Sequence, residues 1–334
     1  MPAEQEKTVC VAGASGLVGS AIVETCLARG WRVHGTLRDA TDPEKAPFLM
    51  ALPGADERLE LFSADMAEPE GFVSPTRGVD AVFVACLIPT YRGASGTLAR
   101  EMDDEQGVRE IVRPTVDGCL GILRAAQAGG VRTAILCSST SSTNPVPPPA
   151  VKNELEHWSD EFEQYAAKKY TSAAKTVMEK EAFRFAGEHH MRMCALMPSM
   201  ILGPRILPAH VTPRWLDLAN GKPWHEQIPN DSMSMIDVRD LAALFLAACE
   251  TPTASGRYFA LIDSWHWKDI YAELAKLVPG FQSPRSLETE PSEPTRFDFT
   301  RRDSLGVPIR DIPTALRETI EWLRNWEASG SGAA

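Results

Sequence analysis

No apolar run in this chain approaches the roughly 20 residues that a membrane-spanning helix needs. Positive charge is also scarce. Against 45 Asp and Glu there are 34 Lys and Arg, a net charge of −11. Phosphate backbones are held by clustered Lys and Arg, so this balance argues against a nucleic-acid surface. Paired cysteines are missing too. The seven cysteines, at 10, 26, 86, 119, 137, 194 and 249, are odd in number, form no CxxC and sit mostly in apolar runs. That pattern reads as reduced, buried residues of a cytosolic protein. The histidines show no metal-ligand spacing, and the adjacent His189 and His190 point in different directions, as surface residues do; no metal site is expected. The polar, acidic start from Met1 to Lys7 does not have the form of a signal peptide. No internal repeat is visible. What remains is a chain of 334 residues with 44% hydrophobic content, enough for a large core and for one large domain or two unequal ones.

The stretch that organises the rest runs from Thr8 to Gly19. Val9 to Ala12 is apolar and rich in β-branched residues, as a buried parallel strand should be. Gly13, Gly16 and Gly19 follow, and from Leu17 to Leu27 the apolar residues recur at helical spacing. Strand, glycine turn and helix form the first half of a dinucleotide-binding βαβ unit. Gly13 permits the tight turn, Gly16 lets backbone approach a pyrophosphate, and Gly19 lets helix and strand pack closely. Ser15, Leu17 and Val18 lie at the helix N-terminus, whose unpaired N–H groups face the phosphates. The competing interpretation is a glycine turn without a nucleotide.

The following elements alternate between strand and helix. Trp31 to Leu37 reads as strand two, ending in Arg38-Asp39. A carboxylate at this strand end would bind the ribose hydroxyls of NAD; an arginine suits the 2′-phosphate of NADP. Arg38 therefore favours NADP, and Lys45 could add a second positive charge. Strand three, Leu59 to Ser63, is followed by Asp65 and Met66, placed for the adenine. Strand four, Ala81 to Ala85, leads into Cys86, Leu87, Ile88 and Pro89, a loop beside the cofactor ribose. Residues 90 to 104 read as surface loop, and Glu105 to Ala128 as one long helix stopped at Gly129-Gly130. Strand five is Thr133 to Cys137, and strand six is Arg192 to Met197. Between them lies a helix holding Tyr165, Lys168, Lys169, Tyr170 and Lys175. The expected fold is α/β: a Rossmann-type, doubly wound parallel sheet with a smaller C-terminal substrate-binding lobe. Residues 1–198 form the NADP-binding part. Residues 199–328 form mainly the lobe, with segments near 233–262 returning to the sheet, and 329–334 read as a disordered tail.

Ten matching stretches, spread almost end to end, carry a resemblance. They include Gly13 to Gly19, Leu52 to Ala55, Val79 to Phe83, Arg113 to Gly118, Ser138-Ser139, Trp158 to Asp160, Lys175 to Lys180, Asp240 to Ala242 and Ala254 to Tyr258. The chain resembles the extended short-chain dehydrogenases of the dihydroflavonol 4-reductase and cinnamoyl-CoA reductase group. The resemblance implies NADPH-dependent reduction of an aldehyde, ketone or thioester on a hydrophobic, often aromatic, skeleton. It also implies that Ser139 is the serine polarising the carbonyl and Lys175 the lysine holding the nicotinamide ribose. Arg38 matches the 2′-phosphate position, Asp65 and Met66 the adenine site, and Pro198 and Ser199 the backbone packed on the nicotinamide. Ala85, Cys86 and Leu87 belong to the cofactor site, and Ile88, Tyr91, Ser139 and Thr140 to the substrate site. Tyr91, Arg92, Trp215 and Trp224 are further candidates for lining a substrate pocket, as aromatics in loops near strand ends often are.

One position departs from the pattern. Such enzymes place the acidic tyrosine four residues before the lysine, and here that residue is Thr171. Tyr170 stands five before, and five residues turn a helix by about 500° rather than 400°, onto another face. Three readings stay open. A local bulge or non-helical turn near Thr171 brings Tyr170 into place; the tyrosine is absent and water, substrate or another residue supplies the proton; or Tyr165 and Lys169 form the pair. The cinnamoyl-CoA reductase signature Asn-Trp-Tyr-Cys-Tyr-Gly-Lys is replaced by Lys169 to Lys175, which argues against that specific activity. The expectation is an NADPH-dependent reductase of a small hydrophobic carbonyl compound, cytoplasmic, monomeric or homodimeric. The alternatives are reduction of an activated C=C or C=N bond without a tyrosine acid, or a catalytically silent NADP(H)-binding sensor.

Overall fold

The computed structural model describes residues 6–86 and 91–329. Seven parallel strands form the main sheet: β1 (Thr8–Ala12), β2 (Arg32–Leu37), β3 (Leu59–Ser63), β4 (Ala81–Val84), β5 (Thr133–Cys137), β6 (Arg192–Met197) and β9 (Gly256–Phe259). Their spatial order is β3-β2-β1-β4-β5-β6-β9, so the order reverses between β1 and β4. In open α/β sheets the crevice at that reversal is where ligands bind.

Near-continuous apolar runs make these strands because both faces are covered. On β1, Val9 and Val11 enter one core and Cys10 and Ala12 the other. On β4, Ala81 and Phe83 alternate with Val82 and Val84 in the same way. This is the period of two expected of strands buried on both faces. The helices Leu17–Ala28 and Val238–Glu250 contribute to the first core. The helices Arg113–Ala128 and Tyr170–Glu188 contribute to the second.

A second sheet has three strands, β7 (Met200–Leu202), β8 (Ser232–Asp237) and β10 (Asp263–His266), in the order β10-β8-β7. β8 pairs parallel to β7 and antiparallel to β10. A third core gathers beside it from Leu218, Trp267, Ile270, Tyr271, Leu274, Leu316 and Ile320. The helices Trp267–Leu277 and Ile312–Ala328 supply most of these residues. The chain leaves β6 for the small sheet through β7 and β8 and returns to the main sheet at β9.

Two helical expectations are corrected. The stretch after Glu105 is not one regular helix but Asp104–Gly107, a π-helical turn at Val108–Val112, and then Arg113–Ala128. Pro114 has no N–H to give, and the wider turn falls immediately before it. The segment holding Tyr165 and Lys175 is two helices, Glu161–Ala166 and Tyr170–Glu188. Lys168 between them adopts φ of +55°, which a helix cannot accommodate. None of the described helices is long and apolar enough to cross a membrane. The expected loop residues Leu87, Ile88 and Pro89, and the tail from 330, lie outside the described residues.

Candidate active site

The turn after β1 is built as the glycines require. Gly13 has φ of +86°, and a Cβ there would stand 2.7 Å from the Cβ of Cys86. A Cβ on Gly19 would collide with the Gly13 carbonyl oxygen. Thr36 on β2 secures the turn, its Oγ1 accepting from Gly13 N–H at 3.1 Å and its carbonyl from Ala14 N–H at 2.8 Å. The helix Leu17–Ala28 starts at Gly16 with no side-chain cap and no acidic residue in its first turn. Its opening N–H groups and partial positive charge are thus directed at the crevice between β1 and β4. Bare backbone, a permissive turn and an uncapped helix fit a dinucleotide pyrophosphate.

Arg38 is exposed at the end of β2 and makes no hydrogen bond among the described residues. The adjoining Asp39 is occupied: its Oδ1 accepts from Thr41 N–H at 2.8 Å and Thr41 Oγ1 at 2.7 Å, and these bonds hold its carboxyl below the usual carboxylate range. Lys45 is ion-paired with Asp42 and so is already engaged. Asp65 accepts from Ala67 N–H at 2.9 Å, which shapes the turn after β3, and Met66 is buried under Gly118. Ala85 and Cys86 flank the glycine turn at the end of β4.

The serines follow β5. Ser138 N–H donates to Leu196 O and Thr140 N–H to Pro198 O, so this loop lies against the end of β6. Ser139 is half-buried, and its Oγ accepts from Ser141 N–H at 3.2 Å, leaving the hydroxyl proton for a ligand oxygen. Lys175 is buried and donates from Nζ to Cys137 O at 2.7 Å, at the foot of the same loop. Burial pushes its ammonium below the ordinary lysine value, against the opposing pull of the nearby Cys137, Cys119 and Cys86 thiols.

A buried ionic network holds the loop in place. Glu179, one turn beyond Lys175, accepts from Ser138 Oγ and, at 2.8 Å, from Ser142 Oγ. Its other oxygen pairs with Arg257. Arg257 donates to Glu154 O at 2.7 Å, His157 O at 2.8 Å and Ser142 O at 3.1 Å, and stacks 3.5 Å from the Trp158 ring centre. Ser159 and Gln164 clamp Ser141 O at 2.7 and 2.9 Å. Sequence reading did not connect these residues, because Glu179 stands 37 and 41 positions from Ser142 and Ser138, and Arg257 stands 78 from Glu179 and 100 or more from Glu154, His157 and Ser142, so only the fold joins them.

The tyrosines do not stand where two of the three readings put them. A non-helical turn does precede Tyr170, at Lys168 and Lys169, but Tyr170 then opens a regular helix and is fully buried on the core side. Its phenol donates to Asp104 Oδ1 at 2.7 Å, over Gly107, where a Cβ would strike the ring. Burial, then Asp104, raises its pKa to about 12. Tyr170 is a strut between two helices, not an acid beside Lys175. Tyr165 and Lys169 share no helix, since the break at Lys168 separates them, and Lys169 is exposed. Thr171, half-buried, holds the position one turn before Lys175. Tyr91, expected at the substrate site, is 80% exposed.

An open cleft of about 670 Å³ lies beside β7, lined by Leu17, Ser199, Trp215, Trp224, His225 and Trp267 among others. It joins the first helix and the end of β6 to the aromatic face of the third core. Trp224 meets Trp215 edge-on at 4.8 Å and Trp267 at 5.9 Å. Sequence reading found Trp215 and Trp224 but not His225 or Trp267, which stand in a stretch without clear periodicity and on a helix that reads as plain core.

Residues 9–260 match the family described as NAD dependent epimerase/dehydratase family. Cinnamoyl-CoA reductase CAD2 of Medicago truncatula is 30% identical over 325 residues, covering 95% of each chain. Dihydroflavonol 4-reductase of Zea mays is 30% identical, covering 92% of this chain and 85% of its own. The crystal structure of yeast methylglyoxal/isovaleraldehyde reductase complexed with NADPH superposes with a TM-score of 0.77 at 21% identity, covering 96% of this chain and 99% of that one. The chain belongs to the NAD dependent epimerase/dehydratase family, among the extended short-chain dehydrogenases/reductases, and is an NAD(P)-dependent oxidoreductase.

Proposed function

We propose that this chain reduces a hydrophobic, aromatic aldehyde or ketone with NADPH. One observation carries the reading. Lys175 and the Ser139 loop converge at the ends of β5 and β6, next to a cleft walled by Trp215, Trp224 and Trp267. The bound dinucleotide supplies a hydride to the carbonyl carbon. The Gly13–Gly19 turn and the first helix hold the pyrophosphate, with Ser15, Leu17 and Val18 along it. Arg38 receives the 2′-phosphate, a charge-assisted contact that Asp39, tied to Thr41, does not oppose. Asp65 and Met66 flank the adenine, Ala85 and Cys86 the ribose, and Pro198 and Ser199 the nicotinamide. Lys175 binds the ribose hydroxyls. Ser139 and Thr140 face the substrate, and the Ser139 hydroxyl donates to the carbonyl oxygen and stabilises charge developing there. The tryptophan walls select a flat apolar skeleton.

The test is NADPH oxidation by the purified protein with a panel of aromatic and aliphatic aldehydes, ketones and enones, NADH serving as control. Turnover of aromatic carbonyls with NADPH preferred supports the reading. Turnover of enones alone assigns C=C reduction instead, and tight NADPH binding without turnover assigns a sensor.

A further inference from the structure

We propose that His225, oriented by Tyr271, is the proton donor of this reductase, in the role that Thr171 is chemically unfit to fill. The inference rests on the carbonyl-reductase reading above. A threonine hydroxyl is far too weak an acid to protonate a developing alkoxide at neutral pH, and Tyr170 is committed to Asp104 on the core side. The side chains of the cleft are therefore the next place to look for a proton donor.

Among the cleft-lining residues three are ionisable: Arg214, Asp231 and His225. A guanidinium does not release its proton in proteins, and the Asp231 carboxylate is engaged as an acceptor, taking the Ser232 N–H at 2.7 Å. Imidazole is the side chain whose proton is held and released in this range. The ring is fixed on two sides. Nδ1 is 2.6 Å from the Tyr271 phenol oxygen, and the ring meets Trp267 edge-on at 4.7 Å. Tyr271 is itself buried, 2% exposed, on the helix Trp267–Leu277, so it offers a rigid anchor. Nε2 makes no hydrogen bond among the described residues, and the residue lines the same cleft as Ser199. An acid held at one nitrogen and open at the other is the arrangement that directed proton transfer requires.

The charged and titratable groups facing the imidazole are Tyr271 from its helix, Arg214 stacked 4.5 Å over Trp224, and Asp231 across the cleft. Burial, with Arg214 second, lowers the imidazole pKa from 6.5. The hydride would leave the dihydronicotinamide C4 with its bond pair, NADPH becoming NADP+, and bond to the carbonyl carbon as the C=O π pair moves to oxygen. The proton on Nε2 of the imidazolium passes to that oxygen, directly or through one water, and the N–H bond pair stays on nitrogen. The neutral imidazole regains a proton from solvent in the open cleft.

The experiment is the pH profile of kcat for an aromatic aldehyde or ketone, with NADPH affinity measured in parallel by fluorescence, on the wild type, His225→Asn and Tyr271→Phe. The wild type should lose rate as pH rises through a pKa below 6.5. His225→Asn should lose about 100-fold or more in kcat, lose that pH limb and keep its NADPH affinity. Tyr271→Phe should shift the limb, and it provides the readout if the asparagine variant fails to fold. A His225→Asn protein that keeps its rate overturns the proposal. So does one that loses rate but keeps the limb, since the histidine is then only structural. A wild type that reduces no carbonyl overturns this inference together with the reading beneath it.

Discussion

The Tyr170 phenol and the Lys175 ammonium sit five residues apart on one helix and serve different ends. The phenol donates to Asp104 and the ammonium to Cys137 O, on opposite sides of the segment. Removing the first should therefore affect stability and not chemistry. Tyr170→Phe should cost about 1 kcal/mol, the net worth of one hydrogen bond, while leaving kcat/KM unchanged; urea denaturation and steady-state kinetics check both halves. A raised phenol pKa means that the folded state favours the protonated form. Its contribution is fully present below pH 10 and is lost as pH rises from 10 towards the folded value of about 12. Wild type should lose stability across that window, and Tyr170→Phe should lack that component. Lys175→Ala should instead abolish turnover. At this scale the sequence was most legible where one residue type has one use. Gly13 and Gly19 form the tight turn after β1 that their spacing predicts, and Lys175 reaches Cys137 O just before Ser138-Ser139. It was least legible at Tyr170, because a tyrosine one position out of register is informative only once its partner Asp104 is known.

The Ser139 loop takes its shape from elements remote in the chain. Glu179 on the Tyr170–Glu188 helix and Arg257 on β9 are both buried, and together they bind Ser138, Ser142, Glu154 and His157. Such a pair contributes little against two apolar residues of the same volume, but losing one partner leaves a buried charge uncompensated. Arg257→Met should therefore cost about 3–5 kcal/mol, and Arg257→Met with Glu179→Gln should cost less than Arg257→Met alone; urea unfolding of the wild type, the two single variants and the double variant measures the coupling. Desolvation is the first cause lowering the Arg257 pKa, which fits a pair kept for geometry more than for net stability. Short apolar strands, such as Thr133–Cys137 and Arg192–Met197, have the ends that the sequence predicts. The helix break at Lys168 does not, because φ of +55° at a lysine leaves no mark in composition and is secured by Lys168 Nζ on Met102 O, 66 positions away.

At the scale of the whole molecule, the cofactor site and the lobe are tied through shared core. Leu207, from the segment after β7, packs in one cluster with Val9 and Val11 of β1, while most tryptophans stand in the C-terminal part around the third core. His210, carried by the lobe, reaches Ser15 O in the glycine turn at 3.0 Å. Binding at the turn should accordingly stabilise both parts together. Ligand at one hundred times its Kd adds about 2.7 kcal/mol to the folded state. Far-UV dichroism reports mainly the sheet and its helices, and tryptophan fluorescence mainly the lobe. The expected outcome is that NADPH raises both transitions by the same amount, and NADH by less at equal concentration. The difference between the two ligands is assigned to Arg38, which has no other hydrogen-bonding partner among the described residues. Charge-assisted hydrogen bonds contribute about 1.5–3 kcal/mol, so Arg38→Ala should weaken NADPH by about 10- to 100-fold and leave NADH unchanged. A fluorescence transition that stayed in place while the dichroism transition rose would mean that the lobe unfolds on its own and that the contact from His210 does not couple it to the cofactor.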